Sequence, residues 1–261
     1  MPLKKTVRSK SAPKTAKRAA KNGKASGASA VAEALAWIER KGSAKVREGM
    51  ARYAIPSDNA VGIPVGVLRQ HAKSLGPDHD LAAALWKTGV YEARMLASFV
   101  DDPAAVTPEQ MDRWCDDFDN WAICDTACFA LFDRTPHAWS KVEKWAKSRD
   151  EFVKRAAFAL LASLTVHDKH AGDAPFAKGL ALVERAATDE RNFVKKAVNW
   201  ALRSIGKRST ALNAAAVGVA KRLAASESAA ARWVGKDALR ELASPAVQKR
   251  LASRGSRARH R

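Results

Sequence analysis

The sequence predicts an all-α protein, an α-α superhelix of stacked helical repeats with a concave basic face. Three observations lead there. Ala, Leu, Lys, Arg and Glu dominate the 261 residues while β-branched runs are few and short, a mix that favours helix. From about Ala28 onward apolar residues recur at three- and four-residue steps, the period of an amphipathic helix. One helical segment, opened by an aromatic residue, also recurs along the chain.

The punctuation between segments reads as helix ends. Thr107-Pro108-Glu109-Gln110 offers an N-cap threonine, proline in the first helical position and Gln where a capping box needs it. Ser148-Arg149-Asp150-Glu151 reads as a second capping box. Gly62, Gly76, Gly172 and Gly206 fall where a helix stops or a turn forms. Roughly a dozen helices joined by short loops result. Val61 to Val67 is the one strand candidate, and Pro64 interrupts it.

The recurring segments are Tyr91-Glu-Ala-Arg-Met-Leu-Ala, Trp121-Ala-Ile-Cys-Asp-Thr-Ala, Phe152-Val-Lys-Arg-Ala-Ala-Phe, Phe193-Val-Lys-Lys-Ala-Val-Asn and Trp233-Val-Gly-Lys-Asp-Ala-Leu. Their starts are separated by 30, 31, 41 and 40 residues. The two longer spacings fit a two-helix HEAT-type repeat and the shorter ones abbreviated units. Such repeats stack with one helix of each pair lining a concave surface. The expected organisation is a disordered basic tail over residues 1–28, a HEAT-like repeat domain over 29–245 and a second basic tail over 246–261.

Charge location matters more than its sum. Of the net +19, residues 1–24 carry +9 and the last thirteen residues +6, both without an acid, so the body is only mildly basic. Polycationic tails draw phosphate by counterion release, yet they also serve as solvated tails that keep a chain soluble. No apolar run approaches a membrane span, and no apolar segment follows the charged start as in a secretory signal. Cys115, Cys124 and Cys128 lack a partnering His motif and read as buried thiols in a reducing, cytoplasmic setting, nucleoid-associated if the source is bacterial. His167-Asp168-Lys169-His170 reads as an exposed or capping segment rather than a metal loop, and neither a metal nor a cofactor is expected.

Numbering each recurring helix from its aromatic puts Trp121 at position one, Asp125 at five, Arg155 at four, Trp200 at eight and Arg203 at eleven. At about 100° per residue these share an arc of roughly 120°. Trp121 alone could be a core aromatic, since the other segments carry one at the same place. Asp125 sits in an otherwise apolar helix, where a carboxylate is costly unless solvated or paired. Arg155 is its candidate partner, or a phosphate ligand. Lys154, Lys195, Lys196, Arg203, Lys207 and Arg208 add a basic stripe for DNA, with aromatics between the cations suited to sugar or base contact.

These residues resemble the AlkD family of DNA alkylation repair glycosylases, which are built from HEAT-like repeats. The carriers are Trp121-Ala-Ile-Cys-Asp125, Phe152-Val-Lys-Arg155-Ala-Ala and Asn192-Phe-Val-Lys-Lys-Ala-Val-Asn-Trp200-Ala-Leu-Arg203, with Gly62-Ile-Pro-Val-Gly-Val-Leu-Arg69 and Leu85-Trp86-Lys87 upstream. The likeness runs from about residue 45 to 242 and excludes both tails. It implies a monofunctional glycosylase releasing cationic N3- and N7-alkylated purines from double-stranded DNA without a base-flipping pocket. Asp125 would be the catalytic carboxylate, Trp121 and Trp200 would pack on the deoxyribose, and Arg155 would hold the nearby backbone. A monomer with no membrane association is expected. Asp116-Asp117-Phe118-Asp119-Asn120 departs from the resemblance by its acidity. Two other readings stay open: a non-catalytic repeat protein for bent, branched or damaged DNA, and a protein-binding scaffold.

Overall fold

A computed structural model describes residues 27–258. The basic stretch over residues 1–24 therefore lies outside the described residues. Among them are fourteen α-helices and two 3-10 turns, with no strand. The helices are α1 (Gly27–Lys41), α2 (Ala44–Met50), α3 (Val65–Leu75), α4 (His79–Lys87), α5 (Tyr91–Val100), α6 (Pro108–Asp116) and α7 (Trp121–Ala130). They continue as α8 (Ala138–Trp145), α9 (Glu151–His167), α10 (Asp173–Ala186), α11 (Asn192–Gly206), α12 (Thr210–Ala224), α13 (Ala229–Leu242) and α14 (Pro245–Ala258). The 3-10 turns are Ala51–Tyr53 and Phe132–Arg134. No helix among the described residues is long and apolar enough to cross a membrane.

Local chemistry explains the boundaries. Thr107 caps α6 by accepting the Gln110 N–H, with Pro108 in the first turn. The Gln110 amide does not return to the cap and instead donates to buried Asp101 (2.7 Å). At α9 the cap is Asp150 rather than Ser148, because the Asp150 carboxylate accepts from both Phe152 and Val153. Ser148 accepts the Asp150 N–H, and Glu151 accepts the Phe193 N–H of α11 instead of closing a capping box. The segment from residue 246, expected as a tail, is helical to Ala258. Pro245 opens that helix, Ser244 accepts the Val247 N–H, and Leu251 is buried.

The Val61–Val67 stretch is a loop running into α3. Gly62 has φ +85, and a Cβ there would meet the Ser43 carbonyl at 2.3 Å, so only glycine fits. The N–H groups of Val61, Gly62 and Ile63 all donate to the buried carboxylate of Glu92 on α5 (3.0, 2.7 and 3.2 Å). Gly206 is not a turn residue; it ends α11 where a Cβ would lie 2.7 Å from Leu242 of α13.

The odd-numbered helices α5, α7, α9, α11 and α13 pack side by side as one row. The even-numbered α4, α8, α10 and α12 each back the following odd helix, forming a second row. This two-row stack is the repeat architecture that the recurrence predicts. Helix α9 lies at its centre, with every residue from Ala156 to Ala162 fully buried. An all-round apolar helix suits a position with neighbours on every side. The recurring aromatic opens α5 (Tyr91) and α7 (Trp121) and is second in α9 and α11, but Trp233 stands one turn into α13. The three cysteines are buried and free.

Candidate active site

Asn120 caps α7 by accepting the N–H groups of Ala122 and Ile123, which fixes the helix start and aims Trp121 outward. The Trp121 indole N–H donates to the Tyr53 carbonyl (2.7 Å) in the first 3-10 turn. Ala54, which follows, has φ +53, a left-handed conformation unfavourable for a residue with a Cβ. Tyr53 itself is 67% exposed.

One helical turn beyond Trp121, Asp125 meets Arg155 of α9 in a two-pronged pair. Arg155 Nε donates to Oδ1 (2.9 Å) and Nη2 to Oδ2 (2.7 Å). Its remaining Nη1 donates to the Phe193 carbonyl of α11 (2.9 Å), so one guanidinium ties three helices together. The Asp125 side chain is 18% exposed and that of Arg155 is 7%. Burial raises the Asp125 carboxyl above the ordinary Asp range, against the opposing pull of Arg155. Burial opposes the Arg155 charge too, but Asp125 outweighs it and moves Arg155 upward. The guanidinium carbon lies 6.0 Å from the Trp121 ring centroid. Tyr53, Trp121, Arg155, Phe193 and Lys196 line an adjoining cavity of about 470 Å³.

Trp200 occupies a different place from Trp121. It stacks on Phe129 at 4.9 Å with ring planes 4° apart. Phe129 is one turn past Asp125 on the same face of α7. Asp125 thus stands along α7 between Trp121 on one side and the Phe129–Trp200 stack on the other. Helix α9 runs between α7 and α11 and carries only Ala159 at the register of Trp200, which leaves room for the rings to meet.

The predicted basic stripe divides. Lys196 is exposed at the cavity, and Lys195 lies 5.3 Å from the half-exposed Trp233 ring. The other four cations make contacts within the protein. Lys154 pairs with Asp189 (3.1 Å), Arg203 with Glu241 (2.7 Å) and Lys207 with Glu241 (2.6 Å). Arg208 donates to the carbonyls of Thr165 in the last turn of α9 and of Asp168 and Ala171 beyond it, and lies over Phe176. The acidic run before Trp121 is also structural: Asp117 accepts the Trp86 indole N–H and Asp119 accepts the Asn120 amide. Asp168 accepts the His170 and Ala171 N–H groups and the Trp139 indole, the capping role expected for that segment. Among the described residues no cluster of His, Cys, Asp or Glu could hold a metal ion.

Sequence periodicity does not reveal Tyr53 or Phe129 as neighbours of the site. Tyr53 reaches Trp121 from 68 residues away, through a loop with no helical register to align.

Fold and site together define a helical-repeat protein with an aspartate–arginine pair set between aromatic side chains on one face. The sequence pattern of the DNA alkylation repair enzymes matches residues 34–242, and the chain belongs to that family. A solved structure described as "a new family of proteins related to the HEAT-like repeat DNA glycosylases with affinity for branched DNA structures" is similar in fold, with a TM-score of 0.66 and 22% identity. The similarity covers 73% of this chain and 82% of that one. No curated protein sequence matches the chain.

Proposed function

We propose that the protein is a monofunctional DNA glycosylase that hydrolyses the N-glycosidic bond of cationic N3- or N7-alkylated purines in duplex DNA. The observation that carries this reading is Asp125, a partly exposed carboxylate fixed by Arg155 between Trp121 and the Phe129–Trp200 stack.

Glycosidases ordinarily use one carboxyl group as an acid to protonate the leaving group. An alkylated purine already bears a positive charge, so the C1′–N bond breaks with its electron pair going to the base, which departs neutral. The sugar becomes oxocarbenium-like. Asp125 stabilises that cation as a preorganised anion, and Arg155 holds the carboxylate so that no reorientation is needed at the transition state. Water then adds its oxygen to C1′ and loses a proton. The tryptophan faces contribute cation–π attraction to the same centre.

A second reading is a non-catalytic protein for bent or branched DNA. Its support is that both Asp125 oxygens are already engaged by Arg155, and that the structurally similar family is described as having affinity for branched DNA. Incubating the protein with N3- and N7-methylated duplex and measuring free bases separates the two. The first reading expects release, reduced at least about 10²-fold in Asp125→Asn. Equal release by both proteins removes Asp125 from the mechanism. Absence of release from either, with retained binding to branched DNA, selects the second reading.

A further inference from the structure

A larger cavity, about 870 Å³, lies away from the Asp125 pocket. Its lining includes Arg69 and Lys73 of α3, Phe99 of α5, Arg134 of the second 3-10 turn, and His167 and Lys169 at and just beyond the end of α9. All four lysine and arginine side chains are exposed residues, and no carboxylate lines the cavity. Among the described residues, none of Lys73, Arg134 or Lys169 pairs with a carboxylate, in contrast to Lys154, Arg203 and Lys207. Arg69 lies 5.1 Å over the Phe99 ring. Four exposed cations thus face one cavity that holds no carboxylate.

His167 is the organised member of the set. Its Nδ1 bonds to the fully buried carboxylate of Asp133, which also accepts the Ser163 hydroxyl. Among the described residues no lysine or arginine pairs with Asp133, so His167 and Ser163 are its side-chain partners. The ring stands edge-on to Phe129 at 5.7 Å, and the side chain is half-exposed. With Nδ1 committed to Asp133, Nε2 is the ring nitrogen left for an outside partner.

We propose that this groove is a second DNA site, a clamp for the phosphodiester backbone built from Arg69, Lys73, Arg134 and Lys169, in which Asp133 fixes the His167 ring beside them. It rests on the reading that duplex DNA is the partner, and not on chemistry at Asp125. His167 is twelve residues beyond Arg155 on α9, about 18 Å along the helix axis. Past Phe129 and Lys169 the groove leads into a further cavity of about 660 Å³ that reaches Trp200 and the exposed Arg250, extending the track to α14. The groups facing His167 are Asp133 and Arg134 from the 3-10 turn, Ser163 and Lys169 from α9 and the residues after it, Phe129 from α7, and Arg69 and Lys73 from across the cavity.

The test is binding of the full chain to an unmodified duplex, followed by fluorescence anisotropy over a series of salt concentrations. Lys73→Gln/Lys169→Gln should flatten the slope of log affinity against log salt by about 2, while Lys178→Gln on α10, outside the groove, leaves it unchanged. His167→Gln, which removes the ring held by Asp133, should weaken binding several-fold at fixed salt. An unaltered slope in the double variant overturns the clamp, as does duplex affinity that does not respond to salt. Because the probe carries no lesion, failure of the glycosylase reading shows separately, as missing base release with the slope differences intact.

Discussion

Replacing Arg155 with alanine is the most demanding perturbation of the site. The change removes two hydrogen bonds to Asp125, of 2.9 and 2.7 Å, and one to the Phe193 carbonyl. It strands a carboxylate that is only 18% exposed. Breaking one side of a buried ion pair costs about 3–5 kcal/mol, because the remaining charge keeps its desolvation penalty without a partner. For a domain of this size each kcal/mol moves the melting temperature by roughly 2–4 °C, so a loss on the order of 10 °C is expected. Thermal and urea unfolding of Arg155→Ala, Asp125→Asn and the double variant measure it. The double variant should be less destabilised than Arg155→Ala alone, since removing the carboxylate charge removes the penalty. A loss under about 1 kcal/mol in Arg155→Ala, or simple additivity in the double variant, would refute the assignment of this pair as a buried, coupled unit.

Three further outcomes follow from the same structure. Arg191 foremost, aided by Lys154, holds the Asp189 carboxyl down to about 2 against the opposing effect of burial. Its stabilisation, about 2 kcal/mol from the size of that shift, is therefore present above the ordinary Asp range and lost as pH falls through about 2. Acid unfolding beside Asp189→Asn checks it: the variant should be less stable near neutrality and converge on the wild type in strong acid. Gly62→Ala should cost at least about 2 kcal/mol in urea unfolding, because it combines a left-handed φ with a Cβ placed against the Ser43 carbonyl. Lys196→Gln should lower the salt slope of DNA binding by about 1 whereas Arg208→Gln should appear chiefly as lost stability, because Lys196 is exposed and Arg208 is committed to three carbonyls.

Much of the fold was legible because helices announce themselves locally. Thr107 and Pro108 start α6 by rules that need only four residues, and the repeat shows as aromatic and basic residues returning at set intervals. The Asp125–Arg155 partnership was legible too, since neighbouring repeats align equivalent turns. The capping box at Ser148 was misplaced by two residues, because the Asp150 carboxylate takes the Phe152 and Val153 N–H groups and so starts the helix after itself, leaving Ser148 to accept the Asp150 N–H. The basic stripe was only partly legible. Periodicity reports which face a lysine shares but not which carboxylates the next helix brings, and Glu241 of α13 meets both Arg203 and Lys207.

The sequence by itself determined the helical row, its repeat and the alignment of Trp121, Asp125, Arg155 and Trp200, because those depend on intervals along a single chain direction. Only the tertiary structure decided that Arg155 grips Asp125 with two bonds and spends its third donor on Phe193, that Trp200 stacks on Phe129, and that Arg69, Lys73, Arg134 and Lys169 share one cavity with His167. Those outcomes depend on distances between segments tens of residues apart, where packing of one helix against the next selects the partner of each charge.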